Sequence, residues 1–157
     1  MAKFKELNGI KVKQVGGGYF FFKRLGDFLT AFIALLLIGW FLIIMAIIVA
    51  IGSKGEPIYC DKRIGQGGKE IAVLKFRSMY KDANEHPEKY LNEEQMKQFQ
   101  EERKVDNDPR ITKVGKFIRK TSIDELPQLL NIFIGNMSLV GPRPITKWEL
   151  EKHFTEE

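Results

Sequence analysis

Two adjacent carboxylates, Asp124 and Glu125, lie just after a basic segment and just before an apolar run at residues 126–133. Pro127 has no N–H to donate, so it belongs in the first turn of a helix, with Asp124 or its neighbour at the N-cap. A helix N-terminus attracts anions, and nearby cations keep carboxylates ionised. The pair therefore suits phosphate chemistry, whereas the alternative is an ordinary capping box formed by Ser122 and Glu125.

Several cations are candidates for neutralising phosphate charge. Arg143 lies between two prolines that fix its backbone, and a guanidinium clamps phosphate oxygens well, although a structural turn is an equal alternative. Lys75 and Arg77 alternate with apolar residues, a pattern that also fits a solvated strand edge. Arg63 opens a glycine-rich turn for which a hairpin loop is the commoner explanation, and Arg119 belongs to a basic amphipathic helix.

The segment Phe28 to Ile51 carries no charge over 24 residues. As a helix it would run roughly 36 Å, enough to cross a hydrocarbon core of about 30 Å. Cations flank it on both sides: Lys3, Lys5, Lys11, Lys13, Lys23 and Arg24 before it, and Lys54, Lys62, Arg63, Lys69, Lys75 and Arg77 after it. This balance favours a hairpin that returns to the same face, with its break at Gly39, over a single span. Because glycine lowers helix stability by only about 1 kcal/mol, both arrangements remain open.

The remaining composition narrows the class of protein. The formal net charge of +5 does not argue for a nucleic-acid partner, since the cations are dispersed among acids. The single cysteine, Cys60, excludes an internal disulfide and is expected to be a buried small residue. Short strands are expected at residues 58–59 and 71–74, and a basic amphipathic helix at residues 111–120 is expected to lie at a lipid interface or to face phosphates.

These elements predict a membrane-associated α+β protein that is mostly helical. A basic N-terminal segment covers residues 1–22, a re-entrant membrane helix or single span covers residues 23–52, and a small cytoplasmic domain with amphipathic interfacial helices covers residues 53–157. Lys23, Arg24 and Asp27 open the membrane region, and Gly39 and Trp40 lie at its centre.

Several motifs in one order resemble those of the bacterial sugar transferases, the small monotopic phosphoglycosyl transferases of the cell envelope. They are Lys23-Arg24-x-x-Asp27, Arg63-x-Gly65, Lys75-Phe-Arg-Ser-Met79, Asn107-Asp-Pro-Arg-Ile-Thr112, Arg119-Lys-Thr-Ser-Ile-Asp-Glu-Leu-Pro-Gln128 and Met137-Ser-Leu-Val-Gly-Pro-Arg-Pro144. Together they cover most of residues 23–144, and their order is far more specific than any one of them.

The resemblance implies an enzyme that transfers a phosphosugar from a UDP-sugar to a polyprenyl phosphate, such as undecaprenyl phosphate, to begin exopolysaccharide, capsule or other envelope glycan synthesis. It implies Asp124 as the nucleophile and Glu125 as a base or a ligand of Mg²⁺, with Asp124 in the same metal site. Lys75, Arg119 and Arg143 would neutralise phosphate charge. It also implies the cytoplasmic face of the bacterial inner membrane and contact with membrane lipid, and self-association into a homo-oligomer stays open.

The chain departs from the family pattern at several positions. Gly39-Trp40 stands where the family commonly has Ser-Pro, Asp61 where it usually has Gln, and Asn136 where it usually has Asp. The domain at residues 53–157 is expected to be truncated at its C-terminus. The alternative function is therefore an inactive membrane-anchored remnant, or an assembly partner of an envelope glycan complex.

Overall fold

The computed structural model describes residues 4–7, 10–13, 17–65, 68–102 and 105–154. Its elements are β1 (Phe4–Leu7), β2 (Ile10–Lys13), α1 (Gly17–Ser53), β3 (Ile58–Ile64), β4 (Glu70–Phe76), α2 (Glu93–Glu102), α3 (Lys113–Lys120), α4 (Gln128–Ile134) and α5 (Lys147–Phe154). Short 3-10 turns occur at Pro87–Lys89 and Ile123–Glu125. The expectation of a mostly helical fold is confirmed. Parts of the basic N-terminal segment, and Gln66 and Gly67 of the glycine-rich turn, lie outside the described residues.

Helix α1 is continuous over 37 residues, which corresponds to roughly 55 Å of helix. The break expected at Gly39 is wrong, because helical structure runs through Gly39 and Trp40 without interruption. A single glycine weakens a helix by only about 1 kcal/mol, and the apolar run on either side holds it together. Within the described chain, α1 is the one helix long and apolar enough to cross a membrane.

Both ends of α1 contact the rest of the protein. Near its C-terminal end, Met45 and Val49 pack with Phe76 of β4 and Ile118 of α3 in the buried core. Near its N-terminal end, Arg24 donates to the carbonyl oxygen of Ile132 at 2.8 Å. The opposite face of α1 is apolar and exposed. Its residues that are more than half exposed include Leu36, Leu37, Trp40, Ile43, Ile47 and Ile51.

Strands β3 and β4 form an antiparallel hairpin in which Ile58 pairs with Phe76 and Ile64 with Glu70. The two short strands expected from the sequence are therefore confirmed, and each is longer than its apolar run. The prediction that Cys60 is buried is wrong, because its side chain is exposed on the two-stranded sheet. A second hairpin, formed by β1 and β2, was not expected.

Helix α3 begins at an N-cap, Thr112, whose side chain accepts from the Gly115 N–H at 2.8 Å. Its apolar residues divide between two environments, since Ile118 is fully buried while Phe117 is 56% exposed. The amphipathic helix predicted from the sequence is therefore present. Its apolar side reaches both the core and the surface.

Candidate active site

The Asp-Glu pair lies in the 3-10 turn Ile123–Glu125, immediately before α4. Ser122 precedes this turn in the left-handed conformation, with φ of 57°, and its side chain makes no capping hydrogen bond. The capping box is therefore wrong, and so is the placement of Asp124 at the N-cap of α4, a position that Pro127 occupies. The turn keeps both carboxylates free of a capping role.

Asp124 is partly buried, whereas the side chain of Glu125 is 48% exposed. Burial raises the pKa of Asp124 above its ordinary value, and the negative charge of Glu125 raises it further. Lys75 and Arg119 lower the pKa of Asp124, but they do not outweigh these two effects. The expectation that neighbouring cations dominate the ionisation of the pair is corrected for Asp124, because desolvation is the larger influence.

Lys75 connects the pair to the hairpin. Its Nζ lies 3.9 Å from Oε1 of Glu125 and 3.5 Å from Oδ2 of Asp61, and its side chain is 17% exposed. Asp61 also accepts from Nε of Arg63 at 2.8 Å. The sequence had singled out Asp61 only as a departure from the family pattern, and the structure makes it the carboxylate shared by two candidate phosphate-binding cations.

Arg119 lies beside the pair and lines the same cavity as Asp124. Its Nε donates to the Ser78 hydroxyl at 2.8 Å, and burial lowers the pKa of its guanidinium while Asp124 and Asp108 raise it. The Ser78 carbonyl in turn accepts from the Thr112 N–H at 3.0 Å. The loop after β4 therefore fixes the direction of Arg119.

Arg77 and Arg143, two further predicted cations, each line a cavity that Glu125 also lines. Arg77 donates from Nε to the Glu56 carbonyl at 2.7 Å, and its charge is also paired with the Glu56 carboxylate at 3.6 Å. Arg143 is exposed in the turn after α4. That turn is held to the hairpin by Arg63, which donates to the Pro144 carbonyl at 2.9 Å.

Two open cavities share Glu125 in their linings, and Asp124 lines one of them. A cavity of about 720 Å³, the polar cavity, has Asp124, Arg119, Arg77 and Asp108 among its lining residues. A cavity of about 400 Å³, the apolar cavity, lies along α4 and the following loop, with Leu126, Leu129, Met137, Leu139, Pro142 and Arg143 among its lining residues. Arg63, Lys75, Ser122 and Glu125 line both cavities.

The polar cavity also contains a buried pair that the sequence did not identify as part of the site. Arg110 is 2% exposed and Asp108 is 5% exposed, and Nη2 of Arg110 donates to Oδ2 of Asp108 at 2.7 Å. Burial alone would raise the pKa of Asp108, but the hydrogen bonds from Arg110 hold it below its ordinary value. The motif at residues 107–112 was the only available signal for this pair.

The opening motif of α1 contacts the C-terminal end of α4. Arg24 donates to the carbonyls of Ile132 and Phe133 at 2.8 and 3.2 Å, so it caps α4. Asp27 accepts from the Ser138 hydroxyl at 2.7 Å and pairs with Lys23 at 3.3 Å. Arg24 is therefore joined to α4, and Asp27 with its partner Lys23 is joined to the loop that follows α4. Gly39 and Trp40 line neither of the two cavities.

A magnesium ion typically takes one or two protein carboxylates and completes its shell with substrate phosphates and water. Across the residues that the structure describes, no group of three His, Cys, Asp or Glu side chains is placed to hold a metal ion. The adjacent Asp124 and Glu125 fit the two-carboxylate kind of site. Their repulsion, which contributes to the raised pKa of Asp124, is what a divalent cation would relieve.

Comparison with known proteins bears on the same region. The family model for the bacterial sugar transferases matches residues 18–157. The chain is 45% identical over 143 residues to the exopolysaccharide production protein ExoY of Rhizobium meliloti, covering 89% of this chain and 62% of that protein.

Two longer relatives are similar to this chain over most of its length. The UDP-galactose-lipid carrier transferase of Erwinia amylovora is 44% identical over 135 residues, covering 85% of this chain and 28% of that protein. The UDP-glucose:undecaprenyl-phosphate glucose-1-phosphate transferase of Escherichia coli K12 is 39% identical over 148 residues, covering 91% of this chain and 29% of that protein. The chain thus spans less than two thirds of the length of each of these relatives. The match over residues 18–157 includes every residue of the site, and the chain belongs to the bacterial sugar transferase family.

Proposed function

We propose that this protein transfers a phosphosugar from a UDP-sugar to a polyprenyl phosphate through a covalent aspartyl phosphosugar on Asp124. The observation that carries the proposal is the placement of Asp124 and Glu125 in one turn, beside Lys75 and Arg119, with Glu125 lining both cavities and Asp124 lining the polar one. Relatives named as UDP-galactose-lipid carrier transferase and UDP-glucose:undecaprenyl-phosphate glucose-1-phosphate transferase support the two substrate classes.

In the first step, a carboxylate oxygen of Asp124 attacks the sugar-bearing phosphorus of the UDP-sugar. The bond from that phosphorus to the bridging oxygen breaks, and UMP leaves with the electron pair. Lys75 and Arg119 neutralise the charge on the transferring phosphoryl group and on the leaving phosphate. A carboxylate nucleophile divides one difficult displacement into two easier ones.

In the second step, a phosphate oxygen of the polyprenyl phosphate attacks the phosphorus held by Asp124. The acyl phosphate bond breaks, which regenerates the carboxylate and gives a polyprenyl diphosphosugar. The apolar cavity supports such an acceptor, because it brings apolar side chains such as Leu126 and Leu129 next to Lys75 and Glu125. An acceptor with a charged head and an apolar chain matches that lining.

Glu125 and Asp124 would hold Mg²⁺ together with phosphate oxygens of the substrate, and the ion would supply further charge neutralisation. The ion would also relieve the repulsion that contributes to the raised pKa of Asp124. We assign Glu125 mainly to this role. Its Oε1 is 3.9 Å from Nζ of Lys75, and almost half of its side chain is open to a ligand.

We place the protein at the cytoplasmic face of the bacterial inner membrane, with α1 embedded from that side. The contacts of both ends of α1 with one folded body support embedding from a single side, because a helix crossing the membrane outright would carry one end away from that body. Exposed apolar side chains outside α1, including Phe117, Ile134, Leu139 and Val140, supply further surface for lipid contact.

The test is to incubate the detergent-purified chain with UDP-sugars, measure UMP release, and determine the intact mass of the protein. We expect an adduct of one phosphosugar that is absent in Asp124→Asn. Asp82→Asn is the matched control, since the Asp82 carboxylate is paired with Lys89 and lines neither cavity. We expect Asp82→Asn to form the adduct as the unsubstituted protein does. If the folded, unsubstituted protein forms no adduct with any donor, the covalent mechanism is wrong for this chain. The alternative role as an assembly partner would then gain support.

A further inference from the structure

Arg110 carries a hydrogen-bond donor that the described chain does not use. Its Nε donates to Asp108 at 2.9 Å and its Nη2 at 2.7 Å, and the ring of Phe99 lies 4.3 Å from its Cζ. The remaining nitrogen, Nη1, is buried and has no hydrogen-bond partner among the described residues. Leaving a buried donor unpaired costs about 1–3 kcal/mol, so such a group needs an explanation.

The location of Arg110 supplies a candidate partner. Arg110 lines the polar cavity together with Arg119 and Asp124. Arg119 is within electrostatic reach of both Asp124 and the Asp108–Arg110 pair. A donor nucleotide with its sugar-bearing phosphate at Asp124 and its second phosphate near Arg119 would extend its nucleoside toward Arg110. The cavity of about 720 Å³ lies within the size range typical of small-molecule sites.

The charge of the pair decides what kind of acceptor fits. Asp108 forms a bidentate ion pair with Arg110, Nε donating to Oδ1 and Nη2 to Oδ2, and this pairing neutralises the guanidinium. The remaining N–H therefore belongs to a neutral pair, and it suits a neutral oxygen better than a phosphate oxygen. A pyrimidine base offers carbonyl oxygens of that kind.

We propose that Nη1 of Arg110 donates to a carbonyl oxygen of the nucleoside base, so that the Asp108–Arg110 pair is the base-recognition end of the polar cavity. This inference rests on the proposed function, since it takes a UDP-sugar as the donor. Arg110 is a specificity residue in this scheme and takes no part in the bond changes at phosphorus. Asp108 is its positioning residue.

The experiment compares two ligands by calorimetry on the full chain in detergent. UMP carries the base, and ribose 5-phosphate carries only the sugar and the phosphate. Arg110→Lys keeps a cation for Asp108 but lacks the Nη1 donor. We expect the Kd of UMP to rise roughly three- to tenfold in Arg110→Lys, the effect of one lost hydrogen bond, and the Kd of ribose 5-phosphate to stay unchanged. Equal losses for both ligands, or no loss for UMP, would overturn the proposal.

A second arm uses the unsubstituted protein and remains informative even if Arg110→Lys does not fold. The 2-thio and 4-thio analogues of UMP each replace one carbonyl oxygen with sulfur, a weaker acceptor. We expect one analogue to bind several-fold more weakly than UMP, and this difference to vanish in a folded Arg110→Lys variant. Equal affinity for UMP and both analogues would rule out the base contact. Failure of the proposed function itself has a different signature, in which the protein binds no UMP and forms no phosphosugar adduct.

Discussion

The side-chain amide of Asn131 on α4 bonds to the backbone of β4 beside Leu74. Its Oδ1 accepts from the Leu74 N–H at 2.9 Å, and its Nδ2 donates to the Ala72 carbonyl at 2.7 Å. Asn131 is 1% exposed, so both bonds are shielded from water. Lys75 directly follows Leu74, and the turn holding Glu125 leads into α4. This joint therefore sets the spacing between the cation and the carboxylate of the candidate site.

Replacing Asn131 with alanine should destabilise the protein. The change leaves the Leu74 N–H and the Ala72 carbonyl without their partners, and we expect the free energy of unfolding to fall by about 2–4 kcal/mol. Urea denaturation in detergent, followed by circular dichroism, measures the change. Asn136→Ala is the matched control, because Asn136 is exposed, and its effect should stay within about 0.5 kcal/mol. Equal stabilities for the two variants would contradict the role of the joint.

Gly115 is required by the approach of α3 to the loop after β4. A Cβ at this position would lie 1.8 Å from the Ser78 carbonyl oxygen, so the backbone would have to move. We expect Gly115→Ala to lower the free energy of unfolding by about 1–3 kcal/mol or more, and to reduce UMP release because the Ser78 hydroxyl orients Arg119. Thermal denaturation and the UMP assay check both effects.

The control for that substitution is Gly26→Ala on α1, where a Cβ meets nothing within 4 Å. Alanine is favoured over glycine in a helix by about 1 kcal/mol, so this control should be neutral or stabilising. A Gly115→Ala variant that matched Gly26→Ala in both assays would show that α3 can shift without disturbing Arg119.

Sequence patterns predicted the strands and helices of the site better than the turns and contacts that join them. The apolar runs located β3 and β4, and the proline located the start of α4, because local propensity and periodicity decide those features. The conformation of Ser122 and the buried bond pattern of Asn131 could not be predicted, since both depend on packing between segments distant in sequence. The exposure of Cys60 was missed for the same reason. The base rate for cysteine favours burial, but this strand lies at an open surface.

The raised pKa of Asp124 gives the proposed reaction a pH dependence. Burial contributes most to raising this pKa, and the charge of Glu125 contributes next. A carboxylate must be ionised to act as the nucleophile. Adduct formation should therefore fall as the pH drops toward the raised pKa, at a higher pH than the ordinary value of 3.8 for an aspartate. In Glu125→Gln the second cause is removed, so the titration midpoint of the Asp124 carboxyl, followed by NMR in the metal-free protein, should move to lower pH.

The raised pKa of Asp124 also determines how the free energy of unfolding changes with pH. The folded state favours the protonated form of Asp124, so this group destabilises the fold at neutral pH and ceases to do so as the pH falls through its raised pKa toward 3.8. Asp124→Asn removes the charge and should stabilise the protein near neutral pH, with the gain shrinking in that acidic window. Denaturation midpoints measured across the window test this, and a gain that grew on acidification would contradict the assigned direction.

Arg24 should contribute to stability as a cap of α4. Its guanidinium donates to the carbonyls of Ile132 and Phe133, and hydrogen bonds from charged groups contribute about 1.5–3 kcal/mol each. We expect Arg24→Ala to lower the free energy of unfolding by about 2 kcal/mol or more, on the same basis. The stability of Arg24→Lys should lie between those of the unsubstituted protein and Arg24→Ala. A lysine ammonium keeps the charge but cannot donate to two carbonyls with the fixed geometry of a guanidinium. Identical urea midpoints for all three proteins would exclude the capping role.

The contacts at both ends of α1 predict that its two flanks share one side of the membrane. In a Cys60→Ser background, single cysteines replace Tyr19, which is 57% exposed near the start of α1, and Lys62, whose side chain is 82% exposed on β3. Both should resist a membrane-impermeant maleimide in intact bacteria and react fully once the cells are permeabilised.

Reaction of the Tyr19→Cys variant in intact cells, with protection of Lys62→Cys, would instead establish a single span. That result would also require Arg24 and Asp27 to leave α4 and the Ser138 loop when the protein enters a bilayer, because those contacts hold the start of α1 against the folded body. Breaking several part-buried, charge-assisted bonds is costly, at about 1.5–3 kcal/mol for each. Protection of both positions is therefore the outcome that leaves the observed packing of α1 intact.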